Sequence, residues 1–411
     1  MSTQIQIVSS GAASGVWGIS NASGVYTYYA TLTLAMAAAT AGQTIELFAD
    51  VTTTTTVTIK PSVIISGNGH TYTYSGNTGN VFATTQVLTA TYYFQNITIL
   101  RANTATSTGA IFAGDGTVFG TSFTIKCSNT QVRYTTTTGT APIWTAIGTF
   151  GVYGATFEGI DVIGNTSGYL FDAVFAVNNI RNSRIENTGT GGGISTPNQN
   201  GGTLIENTYV KTVSGICIAL NYGNQGDTAR GCTVITTSGT GITGATAINC
   251  YAFSNSGNAF ASVSVFNCMA STVSGTAYYN SNAWDSTGTS STGQCVNPFP
   301  SSPSFYNCTF RTTAAVLASS GAYPAKFYNC SLENAWANPS GHAISLSGAG
   351  IEVVNCFISV SDLAANCIRG QASAISVKYS NNSFKGATTP VNANVTQAIV
   401  NTQDNQGNIL L

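Results

Sequence analysis

Phe305-Tyr306-Asn307-Cys308-Thr309-Phe310 decides how this chain folds, because the phrase returns as Phe327-Tyr328-Asn329-Cys330-Ser331-Leu332 and as Val353-Val354-Asn355-Cys356-Phe357-Ile358. Earlier copies are Ala247-Ile248-Asn249-Cys250-Tyr251-Ala252 and Val265-Phe266-Asn267-Cys268-Met269-Ala270. Looser copies put Ser or Thr after the Asn, in Ile180-Arg181-Asn182-Ser183-Arg184-Ile185 and Ile205-Glu206-Asn207-Thr208-Tyr209-Val210. The apolar residues flanking the Asn read as short strands. Asn tolerates a left-handed backbone and bonds its own main chain, so it suits a one-residue corner between two strands. Stacked about 4.8 Å apart, successive Asn side chains would bond to one another as a ladder. The ladder residues expected are Asn182, Asn207, Asn249, Asn267, Asn307, Asn329 and Asn355. The Cys, Ser or Thr after the corner then faces inward.

Corner positions fall near 182, 207, 231, 249, 267, 307, 329, 355 and 382, with spacings from 18 (249 to 267) to 27 (355 to 382) and one longer gap, 267 to 307. Periods of about 20–50 residues mark solenoids, propellers or arrays. Propeller blades need about 40–45 residues, and leucine-rich repeats need far more Leu, so a β-solenoid is expected. The long gap holds residues 281–303 and reads as a surface loop or an inserted rung; 189–202 is a second, Gly-rich loop.

The bulk composition agrees. Charged residues are 7% of the 411, with 13 basic against 14 acidic, which argues against nucleic-acid binding and against a basic membrane surface. Apolar residues are 43%, enough for a core. No apolar run reaches the roughly 18 residues of a membrane span, so no membrane insertion is expected. Met1–Val8 lacks the basic-then-apolar pattern of a signal peptide. Most of the 10 Cys share one repeat position, which suits free buried thiols better than disulfides. No Cys-x-x-Cys pair occurs, so neither a metal nor a cofactor is expected.

Along the chain, residues 1–30 read as an extended lead-in and attachment segment. Residues 31–90 read as a capping helix, Thr31–Thr40 with Gly42 to end it, followed by first coils of short β-branched strands. Residues 91–390 carry the rungs, and 391–411 a closing strand.

The phrase, its period and this opening together resemble the right-handed parallel β-helix superfamily, the pectate-lyase-like and tailspike-like folds. The superfamily's opening helix, of the Leu-x-x-Ala-x-x-Ala kind, is matched by Leu32–Ala39. Its Gly-x-x-Ile strand is matched by Gly42-Gln43-Thr44-Ile45, and its first-coil turn by Val63–Thr71. The resemblance spans about 31 to 390. It implies an all-β right-handed parallel β-helix with a short N-terminal capping helix, and says little of function, which is grafted onto folds.

Many β-helices cleave polysaccharides, and hydrolysis needs two carboxylates about 5–9.5 Å apart. Asp161 and Glu186, each about four residues past a corner, are the weak catalytic candidates; the polygalacturonase-type motifs and the clustered carboxylates of a Ca²⁺-dependent lyase do not occur. The outer face, rich in Ser, Thr, Asn and Tyr, suits carbohydrate contact instead, with Tyr92, Tyr93, Tyr278, Tyr279, Trp284 and Trp336 as candidate sugar-stacking residues. Reduced cysteines and no visible leader fit assembly in a host cytoplasm and release in a particle. The first expectation is therefore a virion protein, such as a phage fibre, spike or capsid decoration. Its partners would be other virion proteins and host-surface glycans, and it would form a homotrimer as viral spikes of this fold commonly do. The alternatives are a polysaccharide-degrading lyase or hydrolase, and a filament-forming protein of a bacterial surface.

Overall fold

A computed structural model describes residues 15–76, 79–84, 89–102, 110–115, 121–134, 144–147, 152–172, 177–196, 202–220, 226–244, 246–298, 300–314, 316–320, 323–347, 351–371, 375–392, 395–397 and 409–410. The chain divides into two compact units, Met1–Ile163 and Gly164–Leu411. Both are parallel β-helical.

The first unit opens on a hairpin of β1 (Trp17–Ser20) and β2 (Tyr26–Tyr29), paired antiparallel. From Trp17 the lead-in is therefore extended backbone paired as a hairpin; residues 1–14 lie outside the described residues. Helix α1 (Leu32–Ala38) buries Leu32, Ala35 and Met36. Thr31 caps it, its Oγ1 accepting from the Leu34 N–H at 3.2 Å. The helix stops before Gly42: Ala39 already turns extended, and Gly42, at φ 85°, shapes the bend into the next strand.

Next come β3 (Thr44–Leu47), β4 (Val51–Thr53), β5 (Val57–Ile59), β6 (Ile64–Ser66) and β7 (Thr71–Tyr74). β1 covers one edge of β3 antiparallel; thereafter pairing is parallel, β3 with β6 and β4 with β7. An antiparallel hairpin over the first coil occupies an edge that would otherwise template another chain. The rings of Tyr72, Phe82, Phe94 and Phe112 pack on one another in the interior at 5.1–5.8 Å.

In the second unit a coil consists of a three-residue strand, a corner, a four-residue strand, a turn and a third short strand. Ser304–Tyr306, Thr309–Thr312 and Val316–Ser320 form one coil, stacked in register on Lys326–Tyr328, Ser331–Asn334 and His342–Leu346. Alternation places Phe305, Phe310, Phe327 and Leu332 in the core at 0% exposure. Residues 281–303 prove to be a coil of their own, with strands Asn282–Trp284, Thr287–Ser290 and Val296–Asn297. The 189–202 stretch also carries a rung strand, Ile194–Ser195, paired with Ile218–Ala219. At the C-terminal end Ile409–Leu410 pairs parallel with Ser383–Phe384.

The corner and the outer columns as candidate functional site

The expected corner residues Asn182, Asn207, Asn249, Asn267, Asn307, Asn329 and Asn355 all sit at φ 48–55°. Asn267 Nδ2 donates to Asn249 Oδ1 at 2.9 Å and Asn329 Nδ2 to Asn307 Oδ1 at 3.3 Å. The corner expected near 231 is Gly231, at φ 62°, and one further corner, which the Asn pattern cannot show, is Asp285, at φ 50°. Asp285 keeps the ladder chemistry, since its Oδ1 accepts from Asn307 Nδ2 at 2.9 Å. Among the described residues the last corner is Asn381 at φ 53°, one residue before the position inferred from sequence.

Immediately after each corner stands the inward residue, and its chemistry has a cause. The bend takes its backbone N–H out of the strand ladder, and a buried unpaired N–H is costly. In several coils the next coil's side chain accepts it: Cys250 N–H to Cys268 Sγ at 3.2 Å, Cys268 N–H to Ser286 Oγ at 3.1 Å, and Cys330 N–H to Cys356 Sγ at 3.4 Å. Asn382 closes the series, its Oδ1 accepting from Cys356 N–H at 2.8 Å. A small side chain with a lone pair is what this position selects, which is why Cys, Ser and Thr interchange there. All the Cys are free. Burial pushes the Cys217 and Cys295 thiols, in the interior near the third strand, up to about 12.

A second column follows the second strand of each coil. Thr212-Val213-Ser214-Gly215 returns as Ser254-Asn255-Ser256-Gly257, Thr272-Val273-Ser274-Gly275 and Ser290-Ser291-Thr292-Gly293. The first hydroxyl of each phrase is buried and ties the turn, as in Gly257 N–H to Ser254 Oγ at 2.9 Å. The glycines lie directly on one another, so a Cβ on Gly275 would coincide with the Gly257 carbonyl oxygen.

On the outside, the residue preceding each corner forms a continuous column that changes character along the unit. Arg181, Glu206 and Arg230 come first, with Arg181 Nε 3.8 Å and Arg230 Nη1 3.9 Å from the Glu206 carboxylate. Phe266, Trp284, Tyr306 and Tyr328 follow as a stack, with centroids 4.6, 6.0 and 4.9 Å apart and planes within 11°. Burial, then the Glu352 carboxylate, pushes the Tyr328 phenol up to about 12. Two positions after the corner, the row runs from Met269 (52% exposed) through Thr287, Thr309 and Ser331 to Phe357 (37%), apolar at its ends and hydroxyl-bearing between.

The remaining candidates fall as follows. Asp161, in the first unit, is ion-paired with Arg133 at 3.2 Å. Glu186, in the second, is held between Arg184 at 2.7 Å and Lys211 at 2.9 Å, which raises the Lys211 pKa. Each carboxylate thus serves a cation on its own unit's outer face. Tyr92 and Tyr278 are interior residues, 1% and 0% exposed, so they offer no ring to a sugar; Tyr278 instead donates to the Thr287 carbonyl at 2.7 Å. Trp284 has one face on Phe266 and the other on Tyr306, which leaves its edge, not its face, to solvent. Tyr93 is exposed, while Tyr279 and Trp336 are half-buried, on separate strands and turns. Among the described residues no group of three or more His, Cys, Asp and Glu is placed to hold a metal ion, and no helix is long and apolar enough to cross a membrane.

No protein-family model matches the chain, and no curated protein matches it.

Proposed function

We propose that the chain is a structural, adhesive protein of a virion, a fibre, spike or capsid decoration that presents a rigid β-helix to glycans of the host surface. The observation that carries the reading is the outer column from Phe266 to Tyr328, an uncharged aromatic ridge held in register by the coils beneath it. Its rings spend their faces on one another, so a glycan lying along the ridge would meet ring edges, the Phe266 end of the stack and flanking hydroxyls such as Thr287 and Thr309, both exposed. Stiffness supports the same reading, because a stacked corner ladder and a glycine column leave the surface little freedom to adapt. Glu186 supports it from the other side: both its oxygens already bind cations, leaving neither to present to a glycosidic oxygen.

The test is adsorption of the full chain to host-cell surface polysaccharides, compared with a Trp284→Ala/Tyr306→Ala variant whose folding is verified by its melting transition. Binding weakened by about tenfold or more is expected, the range for losing aromatic contacts. Unchanged adsorption, or release of reducing ends that Glu186→Gln abolishes, would replace this reading with another.

A further inference from the structure

His342 opens the third strand of its coil, His342–Leu346, and is 4% exposed. The register of the third strands, from Phe260↔Tyr278 through Val316↔His342 to Ile344↔Ile368, sets it in one column with Asn258, Thr276, Gln294, Val316 and Asn366. Those five are all partly exposed. His342 alone among them is buried, and its ring holds the coil that follows. Nδ1 accepts from the Asn366 backbone N–H at 3.0 Å, and Nε2 lies 2.8 Å from Arg369 Nη1. Both facing groups can only donate, whereas a neutral imidazole has one nitrogen that accepts. That lone pair is what ties the ring to the next coil.

Acid removes it. An imidazolium would set two N–H groups against two donors, one of them a permanent cation, with little water to screen them. No nearby carboxylate answers the charge. The strands Val316–Ser320 and Phe357–Val360, packed against His342–Leu346, carry no titratable side chain. On Ser331–Asn334, Glu333 is paired with Arg311 at 3.4 Å. In the turn 361–367, Asp362 Oδ1 accepts from the Ala364 N–H at 2.8 Å, and Cys367 points inward, its Sγ 3.5 Å from the Ile358 carbonyl oxygen. On Ile368–Gly370 the charged group is Arg369 itself. Burial first, then Arg369, holds the His342 pKa below its ordinary range. A His in an opened turn titrates near 6.5. The closed turn is therefore favoured above about that pH and loses its advantage as pH falls below it.

We propose that His342 is an acid-operated latch: protonation of its ring frees the turn 361–367 from the preceding coil and uncovers the interior at Cys367, while coils farther toward Asn249 stay closed. The latch lies on the third strands, away from the aromatic ridge, and involves no glycan, so either reading can fail without the other.

Labelling of the full chain with a dipyridyl disulfide, which attacks thiols in acid as well as at neutral pH, followed by peptide mapping, tests it. Rates are taken relative to free cysteine under the same conditions. Cys367, 0% exposed, is expected to react about tenfold faster or more at about pH 5 than at about pH 7.5, while Cys250, also buried, stays protected at both. His342→Gln puts in this place the residue that stands at Gln294, and should abolish the acceleration. Should it not fold, His342→Thr, after Thr276, carries the same comparison. Cys367 labelled no faster in acid overturns the proposal. So does Cys250 labelled in step with it, since the whole unit would then be opening, and so does an acceleration that the variant keeps.

Discussion

The outer column of the second unit is built twice, once from charges and once from rings. In the coils of Asn182, Asn207 and Gly231 its members are Arg181, Glu206 and Arg230, spaced 3.8–3.9 Å from charge to charge. In the coils of Asn267, Asp285, Asn307 and Asn329 its members are Phe266, Trp284, Tyr306 and Tyr328. The backbone beneath is the same: parallel three-residue strands in unbroken register from Asn179↔Leu204 to Tyr306↔Tyr328. What differs is the kind of energy gained by stacking. Exposed ion pairs contribute roughly 0–1 kcal/mol and are screened by salt. Aromatic pairs contribute about 0.5–1.5 kcal/mol beyond the area they bury, and salt leaves them intact. The architecture therefore does not depend on the outer column; the column is where coils with one backbone acquire different surfaces.

The largest expected effect tests whether that shared backbone is common ground. Gly215→Ala, under the charged stretch, and Gly275→Ala, under the aromatic stretch, would each drive a Cβ into the carbonyl of the neighbouring coil's glycine. Each should cost about 3 kcal/mol or more in denaturant unfolding, and the two should be alike. A mild effect at one site only would mean that the two stretches differ below the surface.

Alkali gives the second comparison. Folded Cys217 and Cys295 keep their protons to about 12, whereas an unfolded Cys loses its proton near 8.5. Above that pH the unfolded chain binds fewer protons than the folded one, so stability falls as pH rises from about 9 to 12, by on the order of a few kcal/mol per thiol. Cys217→Ala and Cys295→Ala should blunt the fall equally, measured as melting temperature against pH.

The smallest effects separate the two stretches. Trp284→Ala should cost about 2–3 kcal/mol at any ionic strength, since it removes two ring contacts. Glu206→Gln should cost under about 1 kcal/mol, with the difference gone by roughly 1 M salt. A salt-sensitive Trp284→Ala, or a Glu206→Gln indifferent to salt, would dissolve the distinction.

How much of this could be read from residues alone follows from which side chains have only one use. Asn in a left-handed corner is nearly such a case, so Asn249, Asn307 and their kin announced the coil. Asp285 and Gly231 hold the same backbone with other means, and the coil around Asp285 read equally well as a loop. The glycine column is not distinctive in the sequence, because Ser, Thr and Gly also build ordinary turns; only the overlap of a missing Cβ with the next carbonyl distinguishes it. Aromatic positions were least legible. Tyr278 and Tyr279 are neighbours in sequence, yet strand alternation turns one into the core and leaves the other half-exposed. Trp284 sits on the outside as expected, but its faces are taken by residues one coil away in each direction, a relation that register alone supplies.

The corner phrase has one more consequence. From Gly231 to Asn249, from Asn249 to Asn267 and from Asn267 to Asp285 a full coil takes 18 residues, while the other coils between described corners take more; the extra length lies beyond the second strand, as in Ala335–Gly341, and the corner strands stay in register. Each coil recognises only its neighbours. Duplicating or deleting one whole coil would lengthen or shorten the second unit by a single step of about 4.8 Å, with no seam to repair. Reach is thus a heritable quantity that comes in whole numbers, adjustable separately from whatever the surface binds.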